Sequence, residues 1–263
     1  MPNPHLDSKS CSSEDSDFAS TPHWETIGPP PLGLFVLEQG RAALEFMRFA
    51  SRRGVAESAP RGDGHPVLVL PGLFAGDLST RPLRRCLREL CYDAHGWGLG
   101  VNRGPKAILR DRLAARLAAL RRRHGRRVSL VGWSLGGIYA RELARAHADD
   151  VRCVVTLGTP FRDISATHAA RLVPIRPGGR PLREAHALRA FLRTPLPVPS
   201  TSIYSRTDGI VHWQSCVEEA GAHRESIEVA SSHTGMGFHP EVLAVIADRL
   251  AQPEGAWRPW LRA

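Results

Sequence analysis

Lysine is nearly missing from this 263-residue chain. Of its 35 cationic side chains only Lys9 and Lys106 are lysine, and the other 33 are arginine. Aromatic residues are also scarce, at 6%. A nucleic-acid binder with this net charge of +9 would cluster its cations and interleave them with aromatics, so the scarcity argues against that class. No run approaches the roughly 18 apolar residues of a membrane span. The five cysteines (Cys11, Cys86, Cys91, Cys153, Cys216) include no CxxC pair and no metal-ligand spacing. They point to a reducing compartment and to no metal site. Residues 1–25 carry five acids against one lysine and lack the apolar stretch of a secretory leader. A soluble, cytoplasmic protein is the expectation. With 42% hydrophobic and 23% charged residues the chain can build one enzyme-sized core, which excludes a disordered or coiled-coil chain.

What is present is an alternation of strand and helix patterns. Residues 1–31 read as a polar, disordered tail ending in Gly28-Pro29-Pro30-Pro31. An N-terminal helical unit spans 32–60. Within it, from about Leu34 to Arg53, Phe35, Ala42, Phe46 and Phe49 recur at helical spacing, beside Leu34, Leu37 and Leu44. That face suits docking on the following domain, with peripheral membrane contact as the alternative. Strands are expected at His65–Leu70, Asp93–Trp97, Arg127–Val131, Val151–Leu157, Ser202–Tyr204 and Ser226–Val229. Helices are expected at Thr80–Leu90 (capped by Asp77 or Ser79), Pro105–His124, Leu135–His147 and Pro240–Leu250. Such spacing implies an α/β fold with a mostly parallel sheet covered by helices on both faces. Phe161–Ser200 breaks the alternation. It far exceeds the usual connection of about 2–6 residues, and its helical apolar patches and six prolines read as an inserted lid. The main domain is thus 61–252, with a C-terminal tail at 253–263.

The sharpest motif is Gly132-Trp133-Ser134-Leu135-Gly136, followed by Gly137. It fits G-x-S-x-G, with an apolar strand before and a helix after. Such a turn strains the serine backbone and projects its hydroxyl above the sheet, while the glycines leave room for neighbouring backbone. A serine hydroxyl needs a base, and the base needs an orienting acid. Asp208, in Ser205-Arg206-Thr207-Asp208-Gly209, is the candidate acid. His233, in Ser231-Ser232-His233-Thr234-Gly235, is the candidate base. Both follow expected strands, where open α/β sheets place their sites. Asp163 competes as acid, and His212 and His239 stand nearest as competing histidines. For the developing oxyanion, the candidate donors are the N–H groups of Leu135 and of Leu73, in Pro71-Gly72-Leu73-Phe74, with Phe74 second to Leu73. Trp133 and Phe74 are the candidate substrate contacts.

On Leu70-Pro71-Gly72-Leu73, Gly132–Gly137, Thr207-Asp208-Gly209 and Ser232-His233, the chain resembles the α/β-hydrolase superfamily, and within it the bacterial serine esterase and lipase group. The likeness covers about 61–252. It implies the α/β-hydrolase fold with a lid inserted where Phe161–Ser200 lies, and it implies no metal and no cofactor. Many members have His-Gly where this chain has Pro71-Gly72. The function so expected is hydrolysis of a small-molecule, lipid-like ester with an apolar acyl or alcohol part, through an acyl-enzyme. Acyl transfer or thioester hydrolysis on the same residues, and a non-catalytic binding protein, are the alternatives. The surplus charge lies in two segments. Residues 103–127 hold ten cations against Asp111, and 161–200 hold seven arginines against Asp163 and Glu184. The first reads as a solvated helix face, the second as a basic lid whose field reaches about 8–10 Å toward acidic substrates or anionic lipid.

Overall fold

Valine and leucine runs with no polar face form strands only where both faces of a sheet are covered, and the structure supplies that cover. A computed structural model describes residues 27–51, 59–105, 107–168 and 190–261. The elements are α1 (Leu32–Ser51), β1 (Pro66–Leu70), α2 (Arg81–Glu89), β2 (Asp93–Gly96), α3 (Ala107–His124), β3 (Val128–Trp133), α4 (Leu135–Ala146), β4 (Val151–Leu157), β5 (Ser200–Tyr204), β6 (Arg224–Glu228) and α5 (Pro240–Ala251). The six strands form one sheet in the order β2-β1-β3-β4-β5-β6, every neighbouring pair parallel.

Alternation along each strand divides the core in two. Val67 and Val69 of β1, Val131 and Trp133 of β3, and Val155 and Leu157 of β4 meet α2 and α5 on one face. Leu68 and Leu70, Leu130, and Val154 meet α3 and α4 on the other. The register pairs Leu70 with Gly132, Trp133 with Leu157, and Leu157 with Ile203, so the strand ends emerge together along one edge of the sheet. The loops expected to carry the site leave from that edge.

The element types follow the sequence reading, and the differences are local. β5 begins two residues earlier than expected, at Ser200, and β6 occupies Arg224–Glu228. Ladder bonds are made by backbone, so polar Arg224 and Glu225 join the strand. The cap of α2 differs too. Thr80 occupies that position without a side-chain cap bond. The Asp77 carboxylate instead accepts from the N–H groups of Trp97 (2.9 Å) and Gly98 (3.0 Å), pinning the loop after β2.

Of the expected tail, residues 1–26 lie outside the described residues. Pro30, near its end, is buried, and its carbonyl accepts from His168 Nε2 at 3.0 Å. The centre of the expected lid, 169–189, and residues 52–58 also lie outside. The expected C-terminal tail is anchored at Trp260: its N–H donates to Glu225 Oε2 at 2.7 Å and its ring packs on the core. Among the described residues no helix is long and apolar enough to cross a membrane.

Candidate active site

Ser134 stands between β3 and α4 with φ 53° and ψ −121°, in the left-handed region that non-glycine residues avoid. Its surroundings enforce that turn. A Cβ on Gly132 would lie 2.4 Å from Gly137 Cα, and one on Gly136 would lie 2.2 Å from Leu70 O. The Ser134 N–H donates to Leu157 O at 2.8 Å, and its carbonyl accepts from Thr159 Oγ1 at 3.0 Å. The end of β4 therefore holds the turn from the side.

The same end of β4 touches the other two candidates. Gly158, at φ +52°, sits so close that a Cβ there would be 2.8 Å from His233 Nδ1 and 3.1 Å from Asp208 Oδ2. His233 Nδ1 lies 2.6 Å from Asp208 Oδ2, and both residues are buried. Asp208 Oδ1 accepts from the N–H groups of Ile210 (2.8 Å) and Val211 (2.7 Å), which fixes the carboxylate and leaves Oδ2 for the imidazole. Burial alone would lower the affinity of His233 for a proton. The charge of Asp208, its hydrogen bond and the charge of Glu38 outweigh that, and hold His233 above the ordinary imidazole value. The structure brings Ser134, Asp208 and His233 to one sheet edge around Leu157–Thr159.

The competitors are engaged elsewhere. Asp163 Oδ1 accepts from the N–H (3.0 Å) and hydroxyl (2.5 Å) of Ser165, closing its own turn. His212 Nδ1 accepts from the Gln214 N–H at 3.4 Å, and His239 precedes α5 as its cap residue. Trp133 lies in the core, not on an open surface. Its Nε1–H donates to His233 O at 3.1 Å and its ring packs where a Cβ on Gly237 would be, so it supports the histidine loop. Phe74 is exposed, with φ 58°.

The loop after β1 passes within reach of the serine: a Cβ on Gly72 would be 3.2 Å from Ser134 Cβ. Its N–H groups are allotted unevenly. The Phe74 N–H donates to Asn102 O at 2.7 Å and is thereby engaged within the loop's own framework. The Leu135 N–H opens α4, ahead of the first intrahelical bond. Asn102, fully buried, was not singled out by sequence. Its Nδ2 donates to Pro71 O (2.9 Å) and its N–H to Ala75 O (2.8 Å), so it shapes the whole 71–76 loop.

The helix α1 and its docking were expected, but its charged contacts were not. Leu34, Glu38, Arg41, Ala42, Glu45 and Phe49 form one stripe at helical spacing and face the domain, with Glu38 and Glu45 buried. Glu38 Oε2 accepts from the Gly209 N–H (3.0 Å), next to Asp208, and its Oε1 from the Thr234 N–H (2.7 Å), next to His233. Glu45 accepts from the Ser232 N–H (2.8 Å) and hydroxyl (2.6 Å). Arg41 donates to both the carbonyl and the hydroxyl of Thr207. One helix thus holds both loops. A trace of it was present in the sequence: a Cβ on Gly209 would lie 2.3 Å from Leu34 O, and one on Gly235 would lie 1.5 Å from Glu45 Oε2. Gly209 and Gly235, just past Asp208 and His233, make room for α1.

A donor set of one strained serine, one buried imidazole–carboxylate pair and one loop of backbone N–H groups matches acyl-transfer chemistry. No curated protein sequence matches the chain. Solved structures match its fold. A mature lipase of Bacillus licheniformis is 17% identical, covering 74% of this chain and 95% of its own, with a TM-score of 0.54. A pyrethroid hydrolase of Sphingobium faniae is 18% identical over 72% of this chain and 98% of its own, at 0.53. A structure reported for two metagenome-derived lipolytic enzymes is 15% identical over 72% and 93%, at 0.54. The model of the Alpha/beta hydrolase family matches residues 64–263, three-quarters of the chain, and the protein belongs to that family.

Proposed function

We propose that the protein is a serine hydrolase of carboxylic esters, with Ser134 as nucleophile, His233 as general base and acid, and Asp208 as the residue that orients it. The observation carrying this reading is the buried 2.6 Å His233–Asp208 pair beside a serine at positive φ on the same sheet edge. The Nδ1–H donates to Asp208 Oδ2, which leaves Nε2 as the proton acceptor. Ser134 Oγ attacks the ester carbonyl while His233 Nε2 takes its proton. The N–H groups of Leu73 and Leu135 bind the oxyanion, a contribution of about 10²–10³ in rate per donor. His233 returns the proton to the leaving alcohol, and water then resolves the acyl-enzyme through the same base. Phe74, exposed on the oxyanion loop, contacts the apolar part of the substrate, while Trp133 acts indirectly by holding the His233 carbonyl. The lipases and lipolytic enzymes among the structural neighbours support an apolar ester.

The test is labelling by a fluorophosphonate probe, together with hydrolysis of p-nitrophenyl esters of rising acyl length. The parent is expected to label and to hydrolyse, and Ser134→Ala to do neither. A Ser134→Ala variant that hydrolyses at the parent rate overturns the proposal.

A further inference from the structure

A second set of side chains converges far from Ser134. Asp93 and His95 alternate along edge strand β2, so both project from one face of the sheet. His124, the last residue of α3, closes on them. Asp93 Oδ2 lies 3.0 Å from His95 Nε2 and 3.2 Å from His124 Nε2, and the three donor atoms are all within 4.8 Å of one another. The two rings meet edge to face, with centroids 5.8 Å apart.

The angles carry more than the distances. Both Nε2 atoms are shut off from solvent, yet neither points at the carboxylate well enough to make a hydrogen bond. Two buried ring nitrogens without partners call for an explanation. Ligands that each hold an ion at about 2.0–2.2 Å sit roughly 3.0–3.4 Å from one another, with lone pairs aimed at the ion between them and not at the neighbouring ligand atom. Asp93 Oδ2 stands in that relation to both rings, at 3.0 and 3.2 Å and off the hydrogen-bond axis, and the two Nε2 atoms lie within 4.8 Å of each other.

We propose that Asp93, His95 and His124 form a three-ligand site for a divalent first-row transition ion of the Zn²⁺ type, with solvent completing its coordination. Two imidazoles and one carboxylate suit such an ion; Ca²⁺ and Mg²⁺ take oxygen ligands. The nearby Arg116 opposes any cation electrostatically, so the imidazole bonds select the ion. The site joins the start of β2 to the end of α3, away from the strand ends that carry Ser134, and its role is to fasten the sheet edge. The sequence reading expected no metal site because the three ligands share no compact motif and include no cysteine.

The test uses the full chain, stripped with chelator and titrated with ZnCl₂ by calorimetry, beside His124→Gln. The parent is expected to bind one equivalent that His124→Gln loses, with ester hydrolysis unchanged in the variant. At saturating Zn²⁺ the parent should melt about 5 °C higher or more. Ring-nitrogen NMR of the parent makes the test independent of any variant: Zn²⁺ should shift Nε2 of His95 and His124. Equal zinc stoichiometry in parent and variant, or unshifted His95 and His124 resonances, overturns the proposal.

Discussion

Helices α1 and α5 both pack on the domain, by opposite means. α5 buries Val242, Leu243, Val245, Ile246, Ala247 and Leu250 against the sheet. α1 turns Glu38, Arg41 and Glu45 inward and leaves Val36 at 71%, Leu37 at 59% and Leu44 at 53% exposure. Apolar packing is non-directional; it adds stability without dictating where a given N–H must lie. Carboxylates accepting from the N–H groups of Gly209, Ser232 and Thr234 are directional, and unsatisfied partners are costly. One helix adds non-directional packing, and the other positions the loops of Asp208 and His233.

Substitutions separate the contributions of the two helices. The largest effect belongs to the pair itself: Asp208→Asn should lower kcat about 10⁴-fold on p-nitrophenyl esters while the protein stays folded. Glu45→Ala frees the Ser232 N–H and hydroxyl; kcat should fall toward about 10²-fold with a stability loss of about 1–3 kcal/mol, read by urea melts beside kinetics. Ile246→Ala on α5 should reverse that balance, costing about 2–5 kcal/mol while activity per folded molecule stays near the parent. Leu37→Ser, on the outward face of α1, should change stability by less than about 0.5 kcal/mol and leave kcat alone.

The division between what sequence showed and what it hid has the same physical origin. The serine turn was legible because it follows the apolar run of β3 and is bracketed by Gly132 and Gly136, which close backbone approach requires; Asp208 and His233 were legible as an acid and a histidine in loops after later strands, with Gly209 and Gly235 beside them. That the Phe74 N–H is bonded to Asn102 O, a partner outside the loop, could not be read from the loop's own residues. Trp133 resembled a substrate contact because large aromatics beside a nucleophile can be one, yet its ring fills space under the histidine loop. For α1, hydrophobic periodicity named Leu34, Ala42 and Phe49 of the inward stripe but counted half-exposed Phe35 and Phe46 with them. Its three charged anchors are invisible to a rule that sends charge outward. Gly209 and Gly235 recorded the docking, though only the helix that meets them gives them meaning.

The central claim is that α1 acts on the chemistry as well as on the fold, and Glu38 tests it most directly. Its charge is one of the influences holding the proton affinity of His233 up. Activity needs the neutral imidazole, so a raised proton affinity displaces the acidic limb of the kcat/KM profile to higher pH. Glu38→Gln removes the charge and keeps the size, and the acidic limb should move to lower pH even where thermal melts match the parent. An acidic limb unchanged from the parent would contradict the account and reduce α1 to packing.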